Sequence, residues 1–144
     1  MAAELTPEQQ AFVRRCRVGR LSTVDASGEA FAVPICYGFD GTRIFTPIDE
    51  KPKHTKRPLK RVRNIMETGR ATLLIDYYED DDWSQLAWLM IRGRAFIVDQ
   101  DHPLHAGSVE QLRNRYHQYR EMDLETAQMI ILEPDRVTSW GAIS

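Results

Sequence analysis

GRLSTVDASGEAFAVPICYGFDGTRIFTPI, residues 19–48, decides the fold class, because its apolar residues recur at every second position. Period two is the mark of strands, whose side chains alternate between the two faces of a sheet. LSTV at 21–24 reads as a short strand, Asp25–Gly28 as a turn and Glu29–Phe39 as a longer strand. Asp40-Gly41 is a strong hairpin signal, since an Asp-Gly pair tolerates the positive φ of tight turns. A third strand follows around Arg43–Thr46. Within the second strand Phe31, Val33, Ile35, Tyr37 and Phe39 share one face, and Ala32, Pro34, Cys36 and Gly38 the other. A strand with one small face admits a flat cofactor, another strand or a second subunit at close range; tight packing inside a barrel is the plainer alternative. Pro34 has no N–H to give a ladder, which predicts an edge or a bulge there.

Toward the N-terminus, Thr6-Pro7-Glu8-Gln9 has the form of a helix start. Thr6 can cap, Pro7 suits the first helical position and Gln9 completes a capping box. Phe12, Val13 and Cys16 then share a face, and Gly19 is expected to close the helix. Beyond residue 58, Leu59, Val62 and Ile65 or Met66 recur at helical spacing up to Gly69. Ala71–Tyr78 returns to strand, Glu79–Trp83 is an acidic loop, and Leu86–Asp99 is a long strand with Gly93 as a bulge or bend. Ser108–Gln111 is expected to cap a helix that uses Val109, Leu112 and Tyr116. A short helix near Leu124–Gln128 and a hairpin of Met129–Glu133 and Val137–Trp140 across Pro134-Asp135 complete the chain. Consecutive hairpins with helices at the margins imply an antiparallel sheet, and a long bent strand helps it curl. The expected fold is mainly β: a small barrel of six to seven mostly antiparallel strands with peripheral helices, one domain over residues 1–144.

At 144 residues the chain can bury one core without staples. It shows no apolar run long enough to span a bilayer and no secretory leader pattern. Cys16 and Cys36 match neither a zinc spacing nor a disulfide framework, so they read as reduced thiols in a cytoplasmic protein. His54, His102, His105 and His117 show no metal-ligand spacing, and no nucleophile elbow, Walker loop or dinucleotide fingerprint is present. Glu79–Asp82 reads as a solvated turn.

One anomaly stands out. KPKHTKRPLKRVR, residues 51–63, holds seven positive charges and no acid, in a chain whose net charge is −2. Such a concentration repels itself unless an anion offsets it. Lys51 and Lys53 lie in a Pro-broken loop, whereas Lys56, Arg57, Lys60, Arg61 and Arg63 approach or enter the helix. A helix start adds free N–H groups and a positive dipole end, which suit phosphate. A solvated basic face is the plain alternative. Nucleic acid is a weaker one, because the run lacks the aromatic residues on which bases stack.

The order of these pieces resembles the pyridoxamine 5′-phosphate oxidase-like split barrels, specifically the flavin/deazaflavin oxidoreductase group. GRLSTVDASGEAFAVPICYGFDGTRIFTPI is similar to that family's first three strands. LKRVRNIMETGRATLLIDYY is similar to its phosphate-binding helix start, helix and fourth strand, AWLMIRGRAFIVD to its long strand and EPDRVTSWG to its last. KRVRNI followed by DDDWSQLAWLMIRGRA resembles a branch classed as probable coenzyme F-420-dependent enzymes.

The resemblance implies a PNPOx-like homodimer that binds its cofactor in a groove between subunits. Lys60 and Arg61 align with the basic pair that holds the cofactor phosphate, and Lys56 and Arg57 lie one turn earlier. Thr46 sits where the third strand meets the ring or the phosphate. Val33, Pro34 and Ile35 correspond to the strand that runs along the ring. Trp88 falls near the position from which the oxidases offer a glutamine, and their Arg-Gln pair reads Ala87-Trp88 here. Oxidation of pyridoxamine phosphate is therefore not expected. The expected activity is hydride transfer from coenzyme F-420 to a small conjugated acceptor, with no catalytic acid or base assigned and no metal. An FMN-dependent oxidoreductase and a non-catalytic binder of F-420, FMN or haem remain alternatives.

Overall fold

A computed structural model describes residues 2–48 and 58–143. The elements in chain order are α1 (Pro7–Arg15), β1 (Gly19–Val24), β2 (Ala30–Ile35), β3 (Gly38–Phe39) and β4 (Ile44–Pro47). They continue with α2 (Lys60–Thr68), β5 (Arg70–Tyr77), β6 (Ala87–Val98), α3 (His105–Arg115) and β7 (Met129–Gly141). The strands form one seven-stranded sheet, ordered β2-β1-β5-β6-β7-β4-β3, in which every neighbouring pair is antiparallel. Curled on itself, this sheet is the expected split barrel.

The α1 start follows the sequence reading. Thr6 Oγ1 accepts from the Gln9 amide at 3.2 Å, and Gln9 Oε1 accepts from the Thr6 amide at 2.9 Å. Its end does not. The helix stops at Arg15, and Gly19 opens β1 opposite Ile35 instead of closing α1. The cap comes from far along the chain: the Arg115 guanidinium donates to the Arg14 carbonyl at 2.8 Å and also to the Cys16 carbonyl. A glycine stop is unnecessary when a long-range cation satisfies the terminal carbonyls.

The single strand expected over Glu29–Phe39 is two strands at opposite edges of the sheet. β2 pairs with β1 and β3 pairs with β4, so the chain crosses the split at Cys36-Tyr37. Pro34 lies on the edge strand, where its missing N–H costs no ladder bond. The expected terminal hairpin is likewise absent. β7 runs unbroken along β6, with Asp135 as the extra residue where Arg92 faces Arg136 and Gly93 faces Pro134. The irregularity predicted at Gly93 therefore sits on its partner strand. Gly93 permits it, because a Cβ there would collide with the Glu133 carbonyl.

Two further corrections concern the helical segments. α3 begins at His105, three residues before Ser108, whose hydroxyl donates back to the Leu104 carbonyl at 2.7 Å instead of capping. Residues 124–128 form no helix, with bends at 125–127; the extra helical turn lies at His117–Glu121.

Two apolar clusters hold these pieces together. Inside the curl, Leu21, Leu73, Ile75, Leu89 and Ile91 pack with Phe12 of α1 and Ile65 of α2. Outside it, Phe45, Val98 and Ile131 meet Val109 and Leu112 of α3. Each such side chain, fully withdrawn from water, contributes roughly 1.5–3 kcal/mol. The first cluster fixes α2, and with it the start of the basic helix, against the sheet.

Candidate functional site

α2 begins at Lys60 and ends on Gly69, which takes the left-handed conformation (φ 68°) that favours glycine. Its N-cap is Leu59, whose side chain offers no acceptor to the first-turn amides. Val62 and Ile65 face the sheet and Met66 points to solvent, so the apolar stripe uses Ile65 of the two candidates. Asn64 is fully buried and donates from Nδ2 to Thr23 Oγ1 of β1 at 3.1 Å; its Oδ1 has no partner among the described residues. The same helix packs on β1, β2 and β6.

The inner basic pair divides into two environments. Arg61 is 7% exposed, and its Nε, like that of Arg63, is buried with no hydrogen-bond partner among the described residues. Lys60 is half-buried and reaches Asp25 Oδ2 at 3.2 Å. Asp25 Oδ1 accepts from the Ser27 amide (2.9 Å), the Ser27 hydroxyl (2.6 Å) and the Glu29 amide (3.0 Å). These bonds, the Ser27 hydroxyl foremost and Lys60 after the Glu29 amide, hold the Asp25 carboxyl far below the usual carboxylate range. The β1–β2 turn is tied to α2 a second time, where the Ala26 amide donates to Glu67 Oε2 at 3.0 Å.

The other expected residues are dispersed. Val33, Pro34 and Ile35 lie on β2 opposite Leu21, Arg20 and Gly19, and β2 touches α2. Thr46 is buried on β4, in one row with Ile130 and Ile97, two strand spacings or about 10 Å from β6. Its hydroxyl donates to the Cys36 carbonyl at 2.7 Å, so it holds the crossing between β2 and β3. Trp88 stands near the start of β6, between Asp76 and Trp140. α2 meets β6 at the other end, where the Ala95 amide donates to the Gly69 carbonyl at 2.9 Å. Seven residues of strand separate Trp88 from Ala95, about 23 Å. One chain therefore does not bring Trp88 to Lys60 and Arg61. Lys56 and Arg57, with Lys51 and Lys53, lie outside the described residues.

Two grooves are large enough to hold a small molecule. One of about 560 Å³ runs between α2 and β6 and is lined by Val62, Ile65, Met66, Ala95, Phe96 and Ile97. A larger one of about 790 Å³ follows α3 past His105, Val109 and Arg113, away from every expected site residue. Along the sheet, Pro34, Arg20, Leu74, Met90 and Thr138 form a row that stays exposed or half-exposed, and Trp140 beside Trp88 is 54% exposed. Sequence reasoning missed Asp25, which carried only a turn signal, and the buried Asn64, which carried none.

Comparison with known proteins agrees with the fold. The family model described as "Pyridoxamine 5'-phosphate oxidase" matches residues 5–141. No curated protein matches the chain in sequence. Among solved structures it is similar to the haem storage protein HutZ from Vibrio cholerae, with 16% identity, a TM-score of 0.70 and coverage of 96% of this chain and 95% of that one. A conserved hypothetical protein from Mycobacterium tuberculosis shares 21% identity at a TM-score of 0.71, over 97% of this chain and 86% of that one. A haem-binding protein from Mycobacterium smegmatis shares 18% identity at a TM-score of 0.70, over 97% of this chain and 56% of that one.

Proposed function

We propose, from the premise that the chain belongs to the pyridoxamine 5′-phosphate oxidase family, that it is an oxidoreductase dependent on the deazaflavin coenzyme F-420. The observation that carries this reading is Arg61: a guanidinium buried to 7% exposure, its Nε unpartnered among the described residues, on the first turn of a helix that lacks a side-chain cap. A buried donor left unpaired costs stability, and it is retained where a ligand completes it. A phosphate suits that donor, the free amides and the dipole of α2 together.

On this reading Lys60 and Arg61 hold the cofactor phosphate, with Lys56 and Arg57 within a turn of it in sequence. The edge strand bearing Val33, Pro34 and Ile35 lies along the ring, and Thr46 fixes the crossing that ends that strand. Trp88 reaches the ring only from a second copy, which favours a homodimer with the site between subunits. The half-exposed row around Leu74 and Met90 gives such a copy an apolar face to cover. F-420 supplies the hydride-donating carbon; the chain orients ring and acceptor and keeps water away from them. Purified protein should oxidise reduced F-420 in the presence of some member of a panel of enones, quinones and other conjugated acceptors. Tight F-420 binding with no turnover across the panel would make it a carrier instead.

A second reading, haem binding, is favoured by the haem-binding and haem-storage proteins of the same fold. A Soret band that saturates at one haem per chain, unchanged by excess F-420, would replace the first reading. An FMN-dependent enzyme of the same fold is separated from both by the flavin spectrum of the protein as purified.

A further inference from the structure

Lys60 does not face the proposed phosphate site as a free cation. Asp25 holds it from the β1–β2 turn, 35 residues earlier in the chain. Asp25 cannot swing away at little cost, because three donors from Ser27 and Glu29 fix its other oxygen. An anion bound by Lys60 and Arg61 therefore meets two cations and one stationary carboxylate, a balance of a single positive charge over these three side chains.

We propose that Asp25 sets the charge of the anion this site accepts, selecting a phosphodiester with one negative charge over a phosphomonoester with two. The inference rests on the phosphate reading of Lys60 and Arg61. A diester neutralises the local balance. A monoester, which carries a charge of about −1.5 to −2 at neutral pH, leaves its excess facing Asp25. A phosphate oxygen in contact with Lys60 Nζ, on the side away from Asp25, lies roughly 6 Å from the carboxylate. At effective dielectric constants between 20 and 80, repulsion by Asp25 lowers the affinity for one extra charge at that distance by about threefold to a hundredfold relative to the same site without the Asp25 charge. Holding α2 does not require the pair, because the bond from the Ala26 amide to Glu67 ties the turn to the helix already.

The test compares FMN with its monomethyl ester, which keeps the ring and ribityl chain but is a phosphodiester. Both are titrated into the full chain, into Asp25→Asn and into Glu67→Gln. Asparagine keeps the Oδ1 acceptor for Ser27 and Glu29, removes the charge and puts an amide donor in place of the Oδ2 that accepts from Lys60. The wild-type chain should bind the methyl ester as tightly as FMN or more tightly. In Asp25→Asn the affinity ratio should move toward FMN by about tenfold, while Glu67→Gln leaves it within twofold. A ratio unmoved by Asp25→Asn overturns the proposal, as does a wild-type preference of tenfold or more for FMN, an arm that needs no variant to fold. If neither flavin nor F-420 binds any form, the phosphate reading fails and takes this inference with it; if they bind and only the ratio stays fixed, the inference alone fails.

Discussion

Replacing Arg61 with Met should raise the stability of the ligand-free protein and weaken its hold on the cofactor. Met keeps the length and apolar bulk of the arginine stem and removes a buried guanidinium whose Nε has no partner among the described residues. An unsatisfied buried donor costs roughly 1–3 kcal/mol, and the lower end is appropriate here because Arg61 keeps 7% exposure. A gain of about 1 kcal/mol corresponds to a Tm rise of about 3 °C for a domain of this size. The same change removes a charge-assisted contact to phosphate worth roughly 1.5–3 kcal/mol, or about 10- to 150-fold in Kd. Thermal melts without ligand and calorimetric titration with F-420 read the two effects separately. Opposite signs mark a residue kept for binding at the expense of stability. If Arg61→Met lowers Tm and binds F-420 as the parent does, Arg61 is a structural cation and the reasoning fails.

Three other perturbations test the framework around the site. Tyr37→Phe removes a buried hydroxyl that reaches the Val13 carbonyl at 2.6 Å and the Cys16 carbonyl at 2.9 Å, so α1 should dock less firmly. A loss of about 1–2 kcal/mol is expected by urea titration, and an unchanged midpoint would mean that Arg115 alone suffices to cap α1. Gly93→Ala forces a methyl group into the Glu133 backbone beside the Asp135 bulge and should cost about 3 kcal/mol or more; a melt within 2 °C of wild type would show that β7 shifts freely. In acid, the Glu125 carboxyl, held by Arg113 and lowered to about 2, lends stability that is complete above its ordinary value of 4.5 and is lost as pH falls toward 2. Glu125→Gln should flatten the stability profile across that window, and a profile identical to wild type would remove Arg113 as the cause.

Much of the fold was legible because its signals are local. The Thr6–Gln9 capping box, the Gly69 stop and the Asp40-Gly41 turn each fix a boundary through the residues beside it. The errors arose where a local pattern met a non-local partner. Alternation runs without a break through Cys36 and Tyr37, yet the chain leaves one sheet edge and joins the other there, a choice made by β1 and β4. Pro134-Asp135 carries turn chemistry, but pairing along all of β6 turns it into a bulge. The site divides in the same way. The positions of Lys60 and Arg61 at a helix start follow from spacing, whereas the Asp25 partner and the distance to Trp88 depend on how β1, α2 and β6 pack. No composition or period encodes those.

The central claim is that a deazaflavin phosphate is held at Lys60 and Arg61, and a side-by-side calorimetric titration of the purified chain with F-420 and FMN tests it most directly. The account predicts tighter binding of F-420, lost in the Lys60→Ala, Arg61→Ala double variant. Equal or tighter binding of FMN, or F-420 binding that survives the double variant at moderate salt, would contradict it.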